Sequence, residues 1–360
     1  MPYNRSKAIV ATLAMCAQLA LPSAASAHGE SIRGSGGGAI NTVGGEIGTG
    51  LTLGVRYDLR LFDRLSNDDL LRLRAQGEDV HAHTQEHTGF VGVGFALSEN
   101  FDINLQLPMN QFRDFKDNGD EFVNASCPIE RGSGDTTGGT PDNCVSTTQT
   151  STGLGDLLVL SRYRLFNQNR QHIAAVFGIS LPTGRIRNRV DKVNPDSGQR
   201  ELIGVHNQPG SGAVGFQIGL AYSGHLGQGF TLSADILSRA HTEGLGFRQG
   251  NGGQADIGLA WEHPRFPLAP VVELNGLFLQ RDIEDGEVKP NSGNGVLYAS
   301  PGFKLRLGDR HQLYGSFSYP LYQYLFGVQN PERFRFGVGY SVAFGGKSDA
   351  RTQPHSHEHG

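Results

Sequence analysis

"RFRFGVGYSVAF", residues 333–344, alternates without a break. Phe334, Phe336, Val338, Tyr340, Val342 and Phe344 are apolar, whereas Arg335, Gly337, Gly339, Ser341 and Ala343 are small or charged. Successive side chains of a β-strand point to opposite faces, so this stretch is a strand with one apolar and one polar face. The same pattern recurs along the chain. LTLGVRYDLRL sets Leu51, Leu53, Val55, Tyr57, Leu59 and Leu61 against Arg56, Asp58 and Arg60. FDINLQLPM and VGFQIGLAY, starting at Phe101 and Val214, repeat it. Further strands read near 88–98, 154–165, 172–182, 230–239, 254–262, 271–281, 295–307 and 313–322. The total is about twelve, and bacterial single-chain barrels use even numbers.

The connections separate a membrane barrel from a soluble sandwich. Short turns at 98–100, 166–171, 225–229, 262–267 and 308–310 alternate with long polar loops at 63–86, 115–152, 183–211, 240–253, 282–294 and 323–332. Short turns on one side and long loops on the other is the outer-membrane arrangement. A sandwich has no reason to sort its loops by side. The sequence therefore predicts an all-β, transmembrane, antiparallel up-and-down barrel of about 12 strands, with long extracellular loops and short periplasmic turns. Its last strand must pair with the first, near 51–62, because lipid offers no partner to an open sheet edge. Tyr57, Trp261, Phe334 and Phe344 end apolar faces and are placed at the membrane interfaces.

The N-terminus is read as a targeting signal. Arg5 and Lys7 precede the apolar run AIVATLAMCAQLALPSA, and Ala25-Ser26-Ala27 precedes His28. That order is a secretory signal with a small-residue cleavage site, not a membrane anchor. Met15 before Cys16 argues against a lipid-modified cysteine. Losing Arg5 and Lys7 shifts the formal charge of −4 by two, to −6, which gives no reason to expect a nucleic-acid partner. Cys127 and Cys144 remain in an oxidising compartment and read as one disulfide, closing a loop of about eighteen residues worth about 3 kcal/mol. The organisation expected is a cleaved signal at 1–27, a periplasmic segment at 28–50, the barrel at 51–344 and a flexible His-rich periplasmic tail at 345–360.

LPMNQFR (107–113), GLGDLLVLSRYRL (153–165) and SLPTGR (180–185) resemble the outer-membrane family of meta-pathway phenol-degradation transporters. FDRLSNDDLLRLRAQGEDVHAH (62–83) is similar to a region of uncharacterised relatives. The resemblance implies a transporting barrel of a Gram-negative outer membrane that handles a small aromatic or other organic compound. A strand ending in Phe, such as 333–344, resembles the signal by which the barrel-assembly machinery recognises its clients. Here sixteen residues follow Phe344.

Charge on a lipid-facing position costs roughly 2–4 kcal/mol at midplane. Arg56, Asp58, Arg60, Asp156, Arg162, Arg164, Asp235, Glu273, Arg281, Lys304, Arg306 and Arg335 are therefore expected to line the lumen. They either tune which solutes pass or pair across the interior and fill it. His81, His83 and His87 share a parity with Glu86 beside them and form a candidate metal cluster at the cell-surface rim. The tail adds His355, His357 and His359, and the mature N-terminus adds His28. Weakly held Zn or Cu is the expected cargo of such tracts, and no cofactor is otherwise implied.

No nucleophile and base occur in a recognisable pattern. His225 falls at a periplasmic turn and His241 at a surface loop, and GSGGG (34–38) lacks the strand–helix context of a phosphate loop. The reading is a non-enzymatic barrel passing a small solute passively. Its alternatives are a metal-linked outer-membrane protein and a surface adhesin or receptor.

Overall fold

Twelve strands form where the alternation predicts them, and the computed structural model closes them into one ring. The structure describes residues 39–48, 50–118, 144–145, 147–193, 198–263 and 265–344. The strands are β1 (Leu51–Phe62), β2 (Gln85–Ser98), β3 (Phe101–Asp117), β4 (Leu157–Gln168), β5 (Gln171–Leu181), β6 (Gly215–Gly227), β7 (Phe230–His241), β8 (Gly252–Trp261), β9 (Leu268–Leu279), β10 (Asn294–Leu307), β11 (His311–Leu325) and β12 (Glu332–Phe344). Each pairs antiparallel with the next. β1 and β12 close the ring in a register running from Leu51 opposite Phe344 to Leu61 opposite Phe334.

The molecule is inside-out relative to a soluble protein. Val91, Ile236 and Val272 are each 60% exposed or more, while Arg56, Asp235 and Glu273 are 4%, 6% and 1% exposed. An apolar outer band around a polar interior belongs in lipid, where the closed ring leaves no unpaired backbone edge. The chain is thus an outer-membrane barrel. Among the described residues no helix is long and apolar enough to cross a membrane.

Three local departures from the sequence pattern follow from identifiable chemistry. β3 runs past Pro108 to Asp117 and pairs with Thr147–Leu154 at its outer end, so the loop expected over 115–152 starts and ends inside paired strand. Below that point β3 pairs with β4, and Asp156 sits at the break between the two partners. A helix, α1 (Asn67–Ala75), occupies part of the 63–86 loop. Ser66 caps it: the hydroxyl accepts from Asp69 N at 3.1 Å and the Asp69 carboxylate accepts from Ser66 N at 3.2 Å.

The third departure concerns residues 28–50, expected in the periplasm. Of the described part, residues 39–47 sit inside the ring. Ala39 and Ile40 pack with Ala260, Val271 and Tyr314, and Val43 packs with Leu160, Val176, Ala221 and Leu237. The barrel's apolar core is this segment against the inner wall.

Candidate functional site

The inner half of the lumen is filled by residues 39–47, and the wall is built to hold their backbone. Glu273 on β9 accepts the backbone N–H of Ile40 (2.8 Å), Asn41 (2.9 Å) and Thr42 (3.0 Å), plus the side chains of Asn41 (2.8 Å) and Thr42 (2.9 Å). One buried carboxylate is thereby saturated by oriented donors, the arrangement that makes burying a charge tolerable. Asp235 on β7 accepts from Val43 N at 2.6 Å, and Ser223 on β6 from Gly45 N at 3.0 Å. Arg162 on β4 donates to Gly44 O (2.7 Å) while paired with Asp102 on β3 (2.5 Å). Arg164 donates to Ile47 O at 3.2 Å, and Arg56 on β1 to Asn41 Oδ1 at 2.9 Å. The segment thus crosses from the β4–β6 wall at the periplasmic end to β9 and β1 near mid-height.

Glycine permits the close approach. A Cβ on Gly45 would lie 2.5 Å from His172 O and 2.7 Å from Ala221 O, both wall backbone. On the wall, a Cβ at Gly302 would lie 2.5 Å from Ile40 Cδ1.

The outer half is hollow. A cavity of ≈ 100 Å³ begins above Asn41 and is lined by Arg60, Glu86, Arg239, Asp256 and Arg335, among others. It shares Arg60, Leu277, Leu279 and Tyr298 with a second cavity of ≈ 210 Å³ nearer the outer mouth. Phe62, His83, Phe112 and Phe247 contribute aromatic surface to that outer chamber. His83 stands edge-on between Phe62 (4.5 Å between ring centres) and Phe112 (5.6 Å). Arg60 lies 5.0 Å over the Phe62 ring and Arg335 4.6 Å over that of Tyr298. Glu332 binds Arg60 (2.8 Å), Arg335 (3.1 Å) and the Tyr298 hydroxyl (3.0 Å), and Arg60 also binds Glu86 at 2.6 Å. These groups are pinned by one another, so the junction of the two chambers is a fixed polar collar.

The charged residues named from sequence divide by position. Arg56 pairs with Asp58 at 2.9 Å and Lys304 with Glu262 at 3.3 Å, all facing inward. Asp156 is buried but serves the chain, accepting from Gly184 N and Ser211 N at the strand break. Two expectations fail. Arg281 is exposed beyond the end of β9, where alternation no longer applies, and stacks on Phe326. Arg306 has inward parity, yet it is exposed at the periplasmic mouth, where it donates to His263 O and Phe266 O.

His83 and His87 do not converge. His87 points outward and its Nδ1 lies 2.6 Å from the Tyr57 hydroxyl. His83 turns into the outer chamber because the chain leaves the sheet between 82 and 85. His81 is in a two-residue bridge to the outer end of β3. His28, His355, His357, His359 and Cys127 lie outside the described residues, whereas Cys144 is buried, disulfide-bonded and packed against Leu71 of α1.

Asp102, Arg239 and Asp256 were not named as lumen residues in the sequence, although each has inward parity. Glu86 also has it but was read only beside the rim histidines, and Glu332 has the parity of the outward Phe334 and turns inward at the register shift beside it. Strand parity was the available signal for all of these but Glu332. No local signal marks Asn41 or Glu46, whose partners lie across the ring.

Comparison with known proteins agrees with this architecture. The family model described as "Putative MetA-pathway of phenol degradation" matches residues 84–324, more than half of the chain. The crystal structure of an outer membrane channel from Pseudomonas putida F1 superimposes with a TM-score of 0.56 at 14% identity, covering 83% of this chain and 97% of that one. The CymD monoaromatic hydrocarbon channel (TM-score 0.38, 9% identity, 83% and 89% covered) and the KdgM porin (TM-score 0.42, 7% identity, 82% and 99% covered) are more distant. No curated protein sequence matches this one.

Proposed function

The chain belongs to the phenol-degradation MetA-pathway family, and from that premise we propose that it passes a small organic solute, favouring a single aromatic ring, passively across the outer membrane. The observation that carries this reading is the aromatic outer chamber opening onto the Arg60–Glu332 collar and ending on residues 39–47. A dry cavity of about 150 Å³ accepts benzene, so ≈ 210 Å³ of space bordered by Phe62, Phe112 and Phe247 admits one such ring. The collar supplies donors and acceptors for a hydroxyl or carboxylate substituent. The inner segment closes the lumen, and passage requires it to shift.

The arrangement supports a channel rather than an enzyme, and among the described residues nothing couples passage to energy. The adhesin alternative draws no support, and His83 and His87, two of the rim histidines that motivated a metal-linked barrel, stand apart. Two partners remain part of the proposal: the barrel-assembly machinery acting on β12, and Cys127 as the partner of Cys144.

Planar-bilayer recording of the mature chain, beside a variant lacking residues 28–48, tests the reading. Small discrete steps are expected from the mature chain and larger, steadier ones from the deletion. Phenol should reduce the deletion variant's current, and Phe112→Ala should relieve that block. Silence from both folded barrels, or equal block by a sugar of similar size, would overturn the proposal.

A further inference from the structure

Where the inner segment leaves the lumen at the periplasmic mouth, three potential metal ligands meet. Glu46 belongs to the segment, His172 opens β5, and His225 nears the end of β6. One ligand atom of each lies within 4.8 Å of the other two. His172 and His225 come from adjacent strands, where His172 faces Ser223 in the register, and both have inward parity. Their rings stand nearly perpendicular at 6.2 Å, and His225 Nε2 lies 3.7 Å from the Glu46 carboxylate.

The surroundings orient these ligands. His225 Nδ1 contacts the Thr231 hydroxyl at 3.0 Å, leaving Nε2 to face Glu46. A partner on the second ring nitrogen is the usual support of a metal-binding histidine. His172 Nδ1 is buried and has no hydrogen-bond partner among the described residues. Arg164 holds Ile47 O and so fixes the neighbouring Glu46. Its positive charge also disfavours ions bound by charge alone, which leaves imidazole nitrogen as the source of selectivity. Gly45 is wedged against His172 O and Ala221 O, so Glu46 can reach the wall only with the segment fully seated.

We propose that Glu46, His172 and His225 form a site for a divalent transition metal, Zn²⁺ or Cu²⁺ in class, that pins the closing segment to the barrel wall. Two imidazoles and one carboxylate are a standard zinc donor set, with the fourth position left for water. In a tetrahedral site at these bond lengths, ligand atoms sit roughly 3.3 Å apart. Binding therefore needs side-chain movements of about 1 Å at this half-exposed mouth. The pinning role rests on the reading that residues 39–47 close the lumen; the metal site itself does not.

The test uses the metal-free full chain, with Co²⁺ as a spectroscopic probe and Zn²⁺ as competitor. Wild type should show one Co²⁺ equivalent with a tetrahedral visible band that Zn²⁺ displaces. Glu46→Gln, His172→Ala and His225→Ala should each lose that band, while weaker binding by the tail histidines persists. Glu46→Gln alters no wall residue and keeps the test valid if a histidine variant fails to fold. In bilayers, Zn²⁺ on the periplasmic side should lower wild-type open probability severalfold, a chelator should restore it, and Glu46→Gln should not respond.

An unchanged band in all three variants would overturn the site. A lost band with conductance indifferent to Zn²⁺ would overturn the pinning. Failure of the 28–48 deletion to open the pore would instead sink the closure reading and leave the Co²⁺ result standing.

Discussion

The two halves of the lumen share one wall and differ in what fills them. In the inner half, wall charges face protein: Glu273, Asp235 and Arg162 hold backbone groups of residues 40–44. In the outer half, Arg60, Glu332 and Arg335 bind one another and border open space with aromatic rings. The alternation of strands decides only that a side chain points inward. Whether it meets chain or cavity is settled by a segment of nine residues entering from one end. On the function proposed above, the inner half is the gate and the outer half a selective vestibule.

Glu273→Gln should break that difference most severely. It replaces a carboxylate that accepts from five donor groups of residues 40–42. Hydrogen bonds to a charged group are worth about 1.5–3 kcal/mol each. Losing the equivalent of even one weakens closure by about 1.4 kcal/mol, or tenfold in equilibrium. Open probability in bilayers should rise by at least about tenfold, with phenol block in the outer chamber unchanged. Wild-type open probability in this variant would mean that the inner segment is not the gate.

The barrel was legible in the sequence because its signal is local and repeated. Each strand carries its own alternation, and even the closure of β1 on β12 follows once lipid is the solvent. The gate was not legible. AINTVGGEI, residues 39–47, carries neither alternation nor charge density, and its partners Glu273 and Asp235 lie about two hundred residues away. Among the lumen charges, Arg281 failed because parity ends where β9 ends. The helix α1 had a readable signal, Ser66-x-x-Asp69 before an apolar run, but the surrounding charge looked like loop. His172 and His225 each showed inward parity; only the ring brings them to Glu46.

A smaller effect sharpens the outer half alone. Asp282, in the loop after β9, borders the outer chamber and accepts from Gly250 N at 2.6 Å. Burial, with Glu284 nearby, raises its carboxyl pKa to about 6. The raised value means the fold favours the neutral acid. Its contribution to stability is full below the ordinary value of 3.8 and is lost as pH rises through about 6. Acidification from about pH 7 to about pH 5 should therefore remove one negative charge from the vestibule. The reversal potential should move modestly toward anions, and Asp282→Asn should abolish the movement while leaving open probability alone. A pH-dependent open probability that survives in Asp282→Asn would show that vestibule charge is not what acid changes.

The least effect is expected at the rim. Ser66 and Asp69 cap α1 reciprocally, and Leu70 is fully buried against Val80 and Val145 while Leu71 packs on Cys144. Removing an N-cap hydroxyl costs about 1 kcal/mol. Ser66→Ala should leave the barrel's stability unchanged, because α1 pairs with no strand of the ring. Amide exchange across 67–75 should quicken roughly fivefold, the factor that about 1 kcal/mol represents. Single-channel conductance should stay at its wild-type value, since no residue of α1 lines the outer chamber. If conductance changed with helix exchange, the outer mouth would share control of passage. The division between an inner gate and an outer vestibule would then give way to two gates in series.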